Sequence, residues 1–213
     1  MPARLRPTAP IAANAILVGD PGRALMLAQE LLEQPKMSNH ARGLWGYSGV
    51  TPAGDELTIQ ATGMGGPSAA VVLADLAELG VKRAIRIGTC ASLGDLGQGE
   101  LVVVTEAHRF RGNSAAPDPG LTERLRDALP AATAGATISL DHLHGAAGDL
   151  PSMPGEVADM QTAALLDAAP DLGVALAAVL IVTERRGSEQ LDDEGLEGSA
   201  KAAGAAAAAL LST

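Results

Sequence analysis

The chain has 213 residues, of which 47% are hydrophobic, and a formal net charge of −10. This hydrophobic content excludes an intrinsically disordered acidic chain, and the length suits one α/β domain with a substantial core. The excess of 25 Asp and Glu over 15 Lys and Arg argues against nucleic acid as the main partner.

The cysteine content and the apolar stretches indicate where the protein works. Cys90 is the only cysteine, which excludes an internal disulfide and a multi-cysteine zinc site. Residues 1–15 lack the apolar core of a signal peptide, and the longest apolar stretches, 174–182 and 205–211, are too short to span a bilayer. We therefore expect a soluble cytoplasmic protein with no membrane partner.

The first predicted unit is a strand at residues 15–18 followed by a helix at residues 24–34. Asp20, between them, can cap that helix. Gly19 and Arg23 would then lie near any ligand beyond the strand end. A capped helix with a solvated arginine explains the same residues equally well.

Residues 42–49 are punctuated by glycine and contain Trp45 and Tyr47, the only tryptophan and tyrosine of the chain. The default role of these side chains is packing in a core or an interface rather than ligand stacking. We expect both to be exposed on the monomer and to favour an interface.

A central βαβ unit follows, with a strand at residues 56–61, a Gly-rich turn at 62–68, an amphipathic helix ending near Gly80 and a strand at 84–90. In open α/β sheets, ligands bind at the carboxyl edge of such strands. The ends of these two strands are therefore the first place to look for a site.

Three groups at the end of the second strand suit a small oxyanion such as phosphate. They are the guanidinium of Arg86, the backbone N–H of Gly88 and the hydroxyl of Thr89. The alternative interpretation has Arg86 on an exposed face or paired with a carboxylate.

The second half of the chain continues the alternation of strands and helices. His142 and His144 lie two residues apart with no obvious third ligand, which is weak evidence for a metal site, so none is predicted. The whole chain, residues 1–213, is predicted to form a single α/β domain with a central mixed sheet flanked by helices. The remaining predicted strands are at 101–105, 136–140 and 174–182, and the remaining helices are at 121–129, through 165–166, and at 199–211.

Five segments, in this order, resemble signature segments of the nucleoside phosphorylase superfamily, most closely its uridine phosphorylase and hexameric purine nucleoside phosphorylase branch. One such segment alone is a weak signal, but five in the order of the family are specific. The five are Gly19-Asp-Pro-Gly-Arg23, Arg42-Gly-Leu-Trp-Gly46, Thr62-Gly-Met-Gly-Gly-Pro-Ser68, Arg86-Ile-Gly-Thr-Cys90 and Asp159-Met-Gln161.

The resemblance implies phosphorolysis, in which phosphate attacks C1′ of a nucleoside and releases free base and ribose 1-phosphate. It implies inorganic phosphate as co-substrate, no cofactor, and a homo-oligomer built from dimers, possibly a hexamer. Arg42 is expected to reach the site of a neighbouring subunit.

The resemblance also assigns roles to individual residues. Met64 and Met160 are expected to pack against sugar and base, although both types also suit a core. Arg86 and Glu184 are the candidate catalytic residues, with Glu184 nearest to the acid that protonates the base. The expected phosphate-binding residues are Gly19, Arg23, Arg42, Arg86, Gly88 and Thr89, and the expected nucleoside-binding residues are Met64, Asp159, Met160 and Gln161.

Several positions depart from the family pattern. Relatives have a glutamate, accepting from the ribose hydroxyls, where this chain has Gln161, whose amide oxygen accepts more weakly. Ribonucleosides are therefore expected to bind weakly, with Gln161→Glu improving their use, unless Gln161 suits a different sugar or ligand. The family pattern also has an arginine further along the chain than Arg186 and often a histidine before Gly19, and this sequence has neither.

The identity of the base stays open because the stretch between residues 107 and 157 looks short. Two other functions also stay open. One is a hydrolase of the same fold, in which water replaces phosphate, and the arginines argue against it. The other is a degenerate, non-catalytic protein that binds a nucleoside or phosphate.

Overall fold

A mixed β-sheet with helices on both faces forms the fold. The computed structural model describes residues 4–110, 112–141, 155–185 and 190–212, so His142, His144 and Arg186 lie outside the described residues. The strands are β1 (Asn14–Val18), β2 (Glu33–Asn39), β3 (Gly46–Val50), β4 (Glu56–Ala61), β5 (Arg83–Ser92), β6 (Leu101–Arg109), β7 (Ser114–Ala115), β8 (Thr133–Ser139), β9 (Val157–Asp159) and β10 (Ala175–Arg185). The helices are α1 (Pro21–Leu31), α2 (Gly66–Glu78), α3 (Pro119–Ala128), α4 (Thr162–Ala168) and α5 (Asp193–Leu211), and a 3₁₀ turn spans Ala41–Gly43.

Strand β5 is the centre of the sheet. It pairs in parallel with β1 and β10 and in antiparallel with β9. The pairings β10–β6, β6–β8 and β8–β9 then close a ring of five strands with β5. On the other side of β1, the sheet continues through β4, β3 and β2. This arrangement confirms the predicted α/β fold with a central mixed sheet.

The register aligns the ends of β1 and β4 with the interior of β5, because β5 continues to Ser92 and does not end beside Gly88 as the sequence analysis expected. Val18, the last residue of β1, pairs with Ala61, the last residue of β4. On the other side of β1, Leu17 pairs with Arg86. The turns that follow β1 and β4 therefore both begin beside Arg86.

Side-chain alternation along the strands divides the apolar residues into two layers. Ile85 and Ile87 face the core that contains buried residues of α1, α3 and α5. Ala84 faces the core formed with α2 and α4. Because side chains two apart lie on the same face of a strand, Arg86 is directed to the α2 and α4 side, where it is buried.

The first helix is shorter than predicted. Helix α1 ends at Leu31, and Gln34, which the sequence analysis included in the helix, belongs to β2. Pro35 explains the difference, because proline has no N–H to donate and disfavours helical backbone in the residue before it.

The expectation that both aromatic residues of segment 42–49 are exposed is wrong for Tyr47. Tyr47 lies in β3 and is buried in the core on the α1 face, whereas 37% of Trp45 is exposed. Burial also raises the pKa of the Tyr47 phenol. Tyr47 is thus a core residue, and of the two only Trp45 is available to an interface.

Helices α1 and α5 pack closely because α5 is rich in alanine and glycine. A Cβ placed at Gly204 would lie 2.7 Å from Cδ2 of Leu27. In the described part of the chain, none of the helices is both long and apolar enough to cross a membrane.

Truncation of Leu27 tests this packing. Leu27 is fully buried, so Leu27→Ala should lower the free energy of unfolding by about 2–5 kcal/mol, as measured by urea denaturation. The matched control is Leu93→Ala, because 39% of Leu93 is exposed and the loss there should stay within about 0.5 kcal/mol. Equal losses in the two variants would contradict the packing of α1 on α5.

Candidate active site

The guanidinium of Arg86 is held by the segment that begins α4. Its Nε donates to Oγ1 of Thr162 at 3.0 Å, its Nη1 to Oε1 of Gln161 at 2.7 Å, and its Nη2 to Oδ2 of Asp159 at 3.0 Å. Arginine has five N–H donors, so two have no protein partner among the described residues. Of the two sequence interpretations, pairing with a carboxylate is therefore observed, on a buried rather than an exposed face.

Asp159 is fully buried and surrounded by donors. Its Oδ1 accepts from the hydroxyl of Ser139 at 2.5 Å. Its Oδ2 accepts from Arg86, from the backbone N–H groups of Gln161 and Thr162, and from the Thr162 hydroxyl. The carboxylate is thus enclosed by donors of the protein, and these contacts position Arg86 and α4.

Gln161 connects Arg86 to the Gly-rich turn. Its Oε1 accepts from Arg86 and from the Thr62 hydroxyl at 3.0 Å, and its Nε2 donates to the carbonyl oxygen of Gly63 at 2.5 Å. The amide oxygen, which the sequence analysis assigned to ribose hydroxyls, is therefore occupied by donors of the protein.

Gly19 lies beside the same group of residues. The backbone N–H of Thr62 donates to the carbonyl oxygen of Val18, which joins the turn after β4 to the turn after β1. The Thr62 hydroxyl lies 3.0 Å from both that oxygen and Oε1 of Gln161, so its single hydrogen is shared between the two acceptors. A Cβ placed at Gly19 would lie 3.6 Å from the carbonyl oxygen of Gly63 and 3.9 Å from Oε1 of Gln161.

Arg23 brings a second positive charge to this edge. It lies in the first turn of α1, and its N–H donates to Oδ1 of Asp20, the capping residue. Burial lowers the pKa of the Arg23 guanidinium, Asp20 opposes that shift, and the charge of Arg86 lowers the pKa further. The two guanidinium groups are therefore close enough to repel each other, an arrangement suited to an anion.

Gly88 makes room for the guanidinium of Arg86. A Cβ at Gly88 would lie 2.6 Å from Nη2 of Arg86, closer than any real Cβ contact. Thr89 is the next residue of β5, is half-buried, and pairs with Ile181 of β10. The sequence motif Arg-Ile-Gly-Thr is thus one structural unit, in which glycine allows the arginine to fold back over the strand.

Two predicted residues lie outside this group of contacts. Arg42 lines a separate groove of about 540 Å³ with Arg4, Arg6, Thr8, His40 and Ala41, and its backbone is in the left-handed region at φ 61°. Glu184 lies near the end of β10, where its Oε1 accepts from Nε2 of Gln190 at 2.6 Å.

The two methionines have different environments. Met64 is 87% exposed, so its interpretation as a core residue is wrong. Met160 is half-buried and lines a cavity of about 270 Å³ together with Phe110 and Leu140. Met160 is therefore adjacent both to an open cavity and to Gln161.

Sequence reasoning missed the hydroxyl groups of the site, those of Thr62, Ser139 and Thr162. The two threonines had a usable signal, since Thr62 directly follows a strand and Thr162 directly follows Gln161. Ser139 had none, because it reaches Asp159 only through the pairing of β8 with β9. Among the described residues, no group of three or more His, Cys, Asp or Glu side chains could hold a metal ion.

Substitution of Gly88 tests the unit formed with Arg86. Gly88→Ala should displace the guanidinium and lower the free energy of unfolding by about 1–3 kcal/mol through overpacking, as measured by denaturant titration. Gly94→Ala is the matched control because nothing lies within 4 Å of a Cβ there. Equal stability of the two variants would show that Arg86 does not occupy the space above Gly88.

Comparison with known proteins agrees with this geometry. A sequence model of the phosphorylase superfamily matches residues 14–213. Over 84 residues the chain is 43% identical to a purine nucleoside phosphorylase DeoD-type of Oceanobacillus iheyensis, which covers 39% of this chain and 35% of the relative.

Two further relatives carry the same name, from Caldanaerobacter subterraneus subsp. tengcongensis and Clostridium novyi. They are 39% and 38% identical over 117 residues, which is 50% of this chain and 50% of each relative. The chain thus matches about half the length, or less, of these relatives. Together with the superfamily match, they confirm the resemblance found in the sequence: the chain belongs to the phosphorylase superfamily.

Proposed function

We propose that the protein is a nucleoside phosphorylase, a pentosyltransferase that converts a nucleoside and inorganic phosphate into free base and ribose 1-phosphate. The observation that carries this proposal is the position of Arg86 beside the end of β1, where the turn that follows leads into α1 with Gly19 and Arg23. Purine nucleosides are the first substrates to test, because the relatives named above are purine nucleoside phosphorylases.

The proposed phosphate site uses the groups that the structure leaves available. Arg86 has two N–H donors without a protein partner among the described residues, and Arg23 and the Thr89 hydroxyl supply further donors. Gly19 contributes its backbone N–H beside Gln161. Charge-assisted hydrogen bonds of this kind are stronger than neutral ones.

In the proposed reaction, a phosphate oxygen bonds to C1′ while the bond from C1′ to the base nitrogen breaks. The base leaves with that electron pair and takes a proton from an acid, for which Glu184 is our candidate. A fixed phosphate dianion beside C1′ acts as nucleophile and stabilises the positive charge that develops on the sugar. The reaction needs no cofactor.

The nucleoside is proposed to lie between the phosphate site and the cavity lined by Met160. Phe110 and Leu140 give this cavity an apolar wall of the kind that a base or sugar contacts. Exposed Met64 lies in the turn after β4, which ends at Ala61, and is our second candidate to contact the nucleoside.

A second copy of the chain is proposed to complete the site, in a homo-oligomer built from dimers, possibly a hexamer. Arg42 lies in the groove with Arg4 and Arg6, where its left-handed backbone costs of order 1–3 kcal/mol. Exposed Trp45 is close to it in sequence and is a residue type that interfaces favour. We further propose a cytoplasmic location, consistent with a single cysteine.

A nucleoside panel tests the proposed reaction. Inosine, adenosine and uridine are each incubated with and without phosphate, and release of free base is followed. We expect release only with phosphate, and we expect Arg23→Ala to lower kcat/KM for phosphate roughly ten- to hundredfold, as the loss of one charged hydrogen bond predicts. Arg126→Ala, an exposed arginine of α3, is the control.

The other outcomes of the panel identify the alternatives. Release that does not depend on phosphate would show a hydrolase. Absence of release with every nucleoside would show a binding protein without this activity.

Complementation tests the shared site. Arg23→Ala and Arg42→Ala should each be weakly active alone, while a mixed oligomer made by co-expression should regain about a quarter of the wild-type sites, as statistical pairing of reciprocal sites predicts. The oligomeric state is measured by light scattering. A fully active monomer, or mixtures no more active than their components, would place Arg42 outside the site.

A further inference from the structure

The contacts of Gln161 fix which way its amide faces. Arg86 only donates hydrogen bonds, so Oε1 must face Arg86, as observed at 2.7 Å. A backbone carbonyl only accepts, so Nε2 must face Gly63, as observed at 2.5 Å. Position 161 therefore requires a side chain that accepts at one end and donates at the other.

The same contacts leave Gln161 little acceptor capacity for a ligand. Its oxygen accepts from Arg86 and lies 3.0 Å from the Thr62 hydroxyl, whose single hydrogen is shared with the carbonyl oxygen of Val18. Its nitrogen has one N–H left after the bond to Gly63. Gln161 is also 3% exposed, so it is part of the site wall.

The neutral amide also sets the charge around Arg86. Asp159 is the carboxylate in contact with Arg86, and it balances that one guanidinium. Arg23 lies close enough for the charge of Arg86 to lower its pKa, and its own positive charge is not balanced by Gln161. Asp20, the exposed capping residue of α1, partly offsets the charge of Arg23, because it raises the pKa that burial and Arg86 lower.

We infer that Gln161 is a positioning residue that holds Arg86 and the Gly-rich turn together without cancelling the positive charge of the site. The consequence for the substrate is that the site favours an anionic group, the phosphate. Gln161 itself is then not the acceptor for the sugar hydroxyls. This inference rests on the proposed function only for the identity of the anion.

A carboxylate at this position would act in two ways. It would place an oxygen against the Gly63 carbonyl, where Gln161 now donates, and the two acceptors would repel each other. It would also put a second negative charge beside Arg86, opposing the binding of an anion. Gln161→Glu should therefore weaken phosphate binding, and the gain in ribonucleoside use expected from the sequence should not occur.

Isothermal titration of inorganic phosphate alone tests the inference. The proteins are wild type, Gln161→Glu, Gln161→Met and Gln34→Glu, in which the same charge is added at an exposed position of β2. We expect Gln161→Met to bind phosphate more weakly than wild type and Gln161→Glu to bind about tenfold more weakly still. Gln34→Glu should match wild type.

A second readout separates charge from structure. The difference between Gln161→Glu and Gln161→Met should narrow as the pH falls and the introduced carboxyl is protonated, which a purely structural defect would not do. Melting curves confirm that each variant is folded. If Gln161→Glu does not fold, Gln161→Met decides alone, because unchanged phosphate binding in that variant removes the positioning role.

The ranking of the phosphate affinities can also overturn the inference. Phosphate binding by Gln161→Glu that equals or exceeds that of wild type or of Gln161→Met would overturn it. The titration contains no nucleoside, so it decides the role of Gln161 independently of the reaction. A wild-type protein that binds phosphate but fails to split nucleosides would contradict the proposed reaction alone.

Discussion

The buried ion pair between Arg86 and Asp159 is the interaction on which the site depends. Both side chains are at most 4% exposed, and removing such charges from water costs several kcal/mol per ion, which their attraction offsets only with good geometry and further hydrogen bonds. Ser139, Thr162 and Gln161 supply those bonds. Loss of either charged partner would leave the other without its counter-charge in the core. The ion pair and its hydrogen bonds therefore hold β5, β8 and the segment between β9 and α4 together.

The topology explains why this ion pair is also at a binding edge. Strand β5 has neighbours on both sides and a third partner, β9, which carries Asp159 at its end. The parallel strands β1 and β4 stop at the level of Arg86, and the turns after them bring Gly19 and Gly63 to Gln161. The charge of Arg86, which would be costly to bury without Asp159, thus lies where the ends of neighbouring strands leave space for a ligand.

Much of this fold could be predicted from the sequence because its main strands and helices have clear patterns. Strand β4 and helix α2 follow from alternation, amphipathic spacing and glycine. The position of Arg86 does not, because β5 continues to Ser92 and Arg86 lies in its interior, beside the end of β1. The roles of Asp159 and Gln161 could not be predicted from the sequence. Sequence spacing does not show which carboxylate oxygen, or which atom of the amide, lies against a given donor. Tyr47 also needed the structure, because β3 is recognised only through its pairing with β4.

The net charge of −10 does not prevent this edge from holding an anion. Exposed charges are screened over a Debye length of about 8 Å at physiological ionic strength, whereas buried or partly buried charges are screened much less. The local balance of Arg86, Asp159 and Arg23 therefore decides the potential that a ligand meets, and the acidic surface acts mainly on its approach. A neutral Gln161 matters for this reason: among side chains that are buried, one additional carboxylate would change the local balance more than many on the surface.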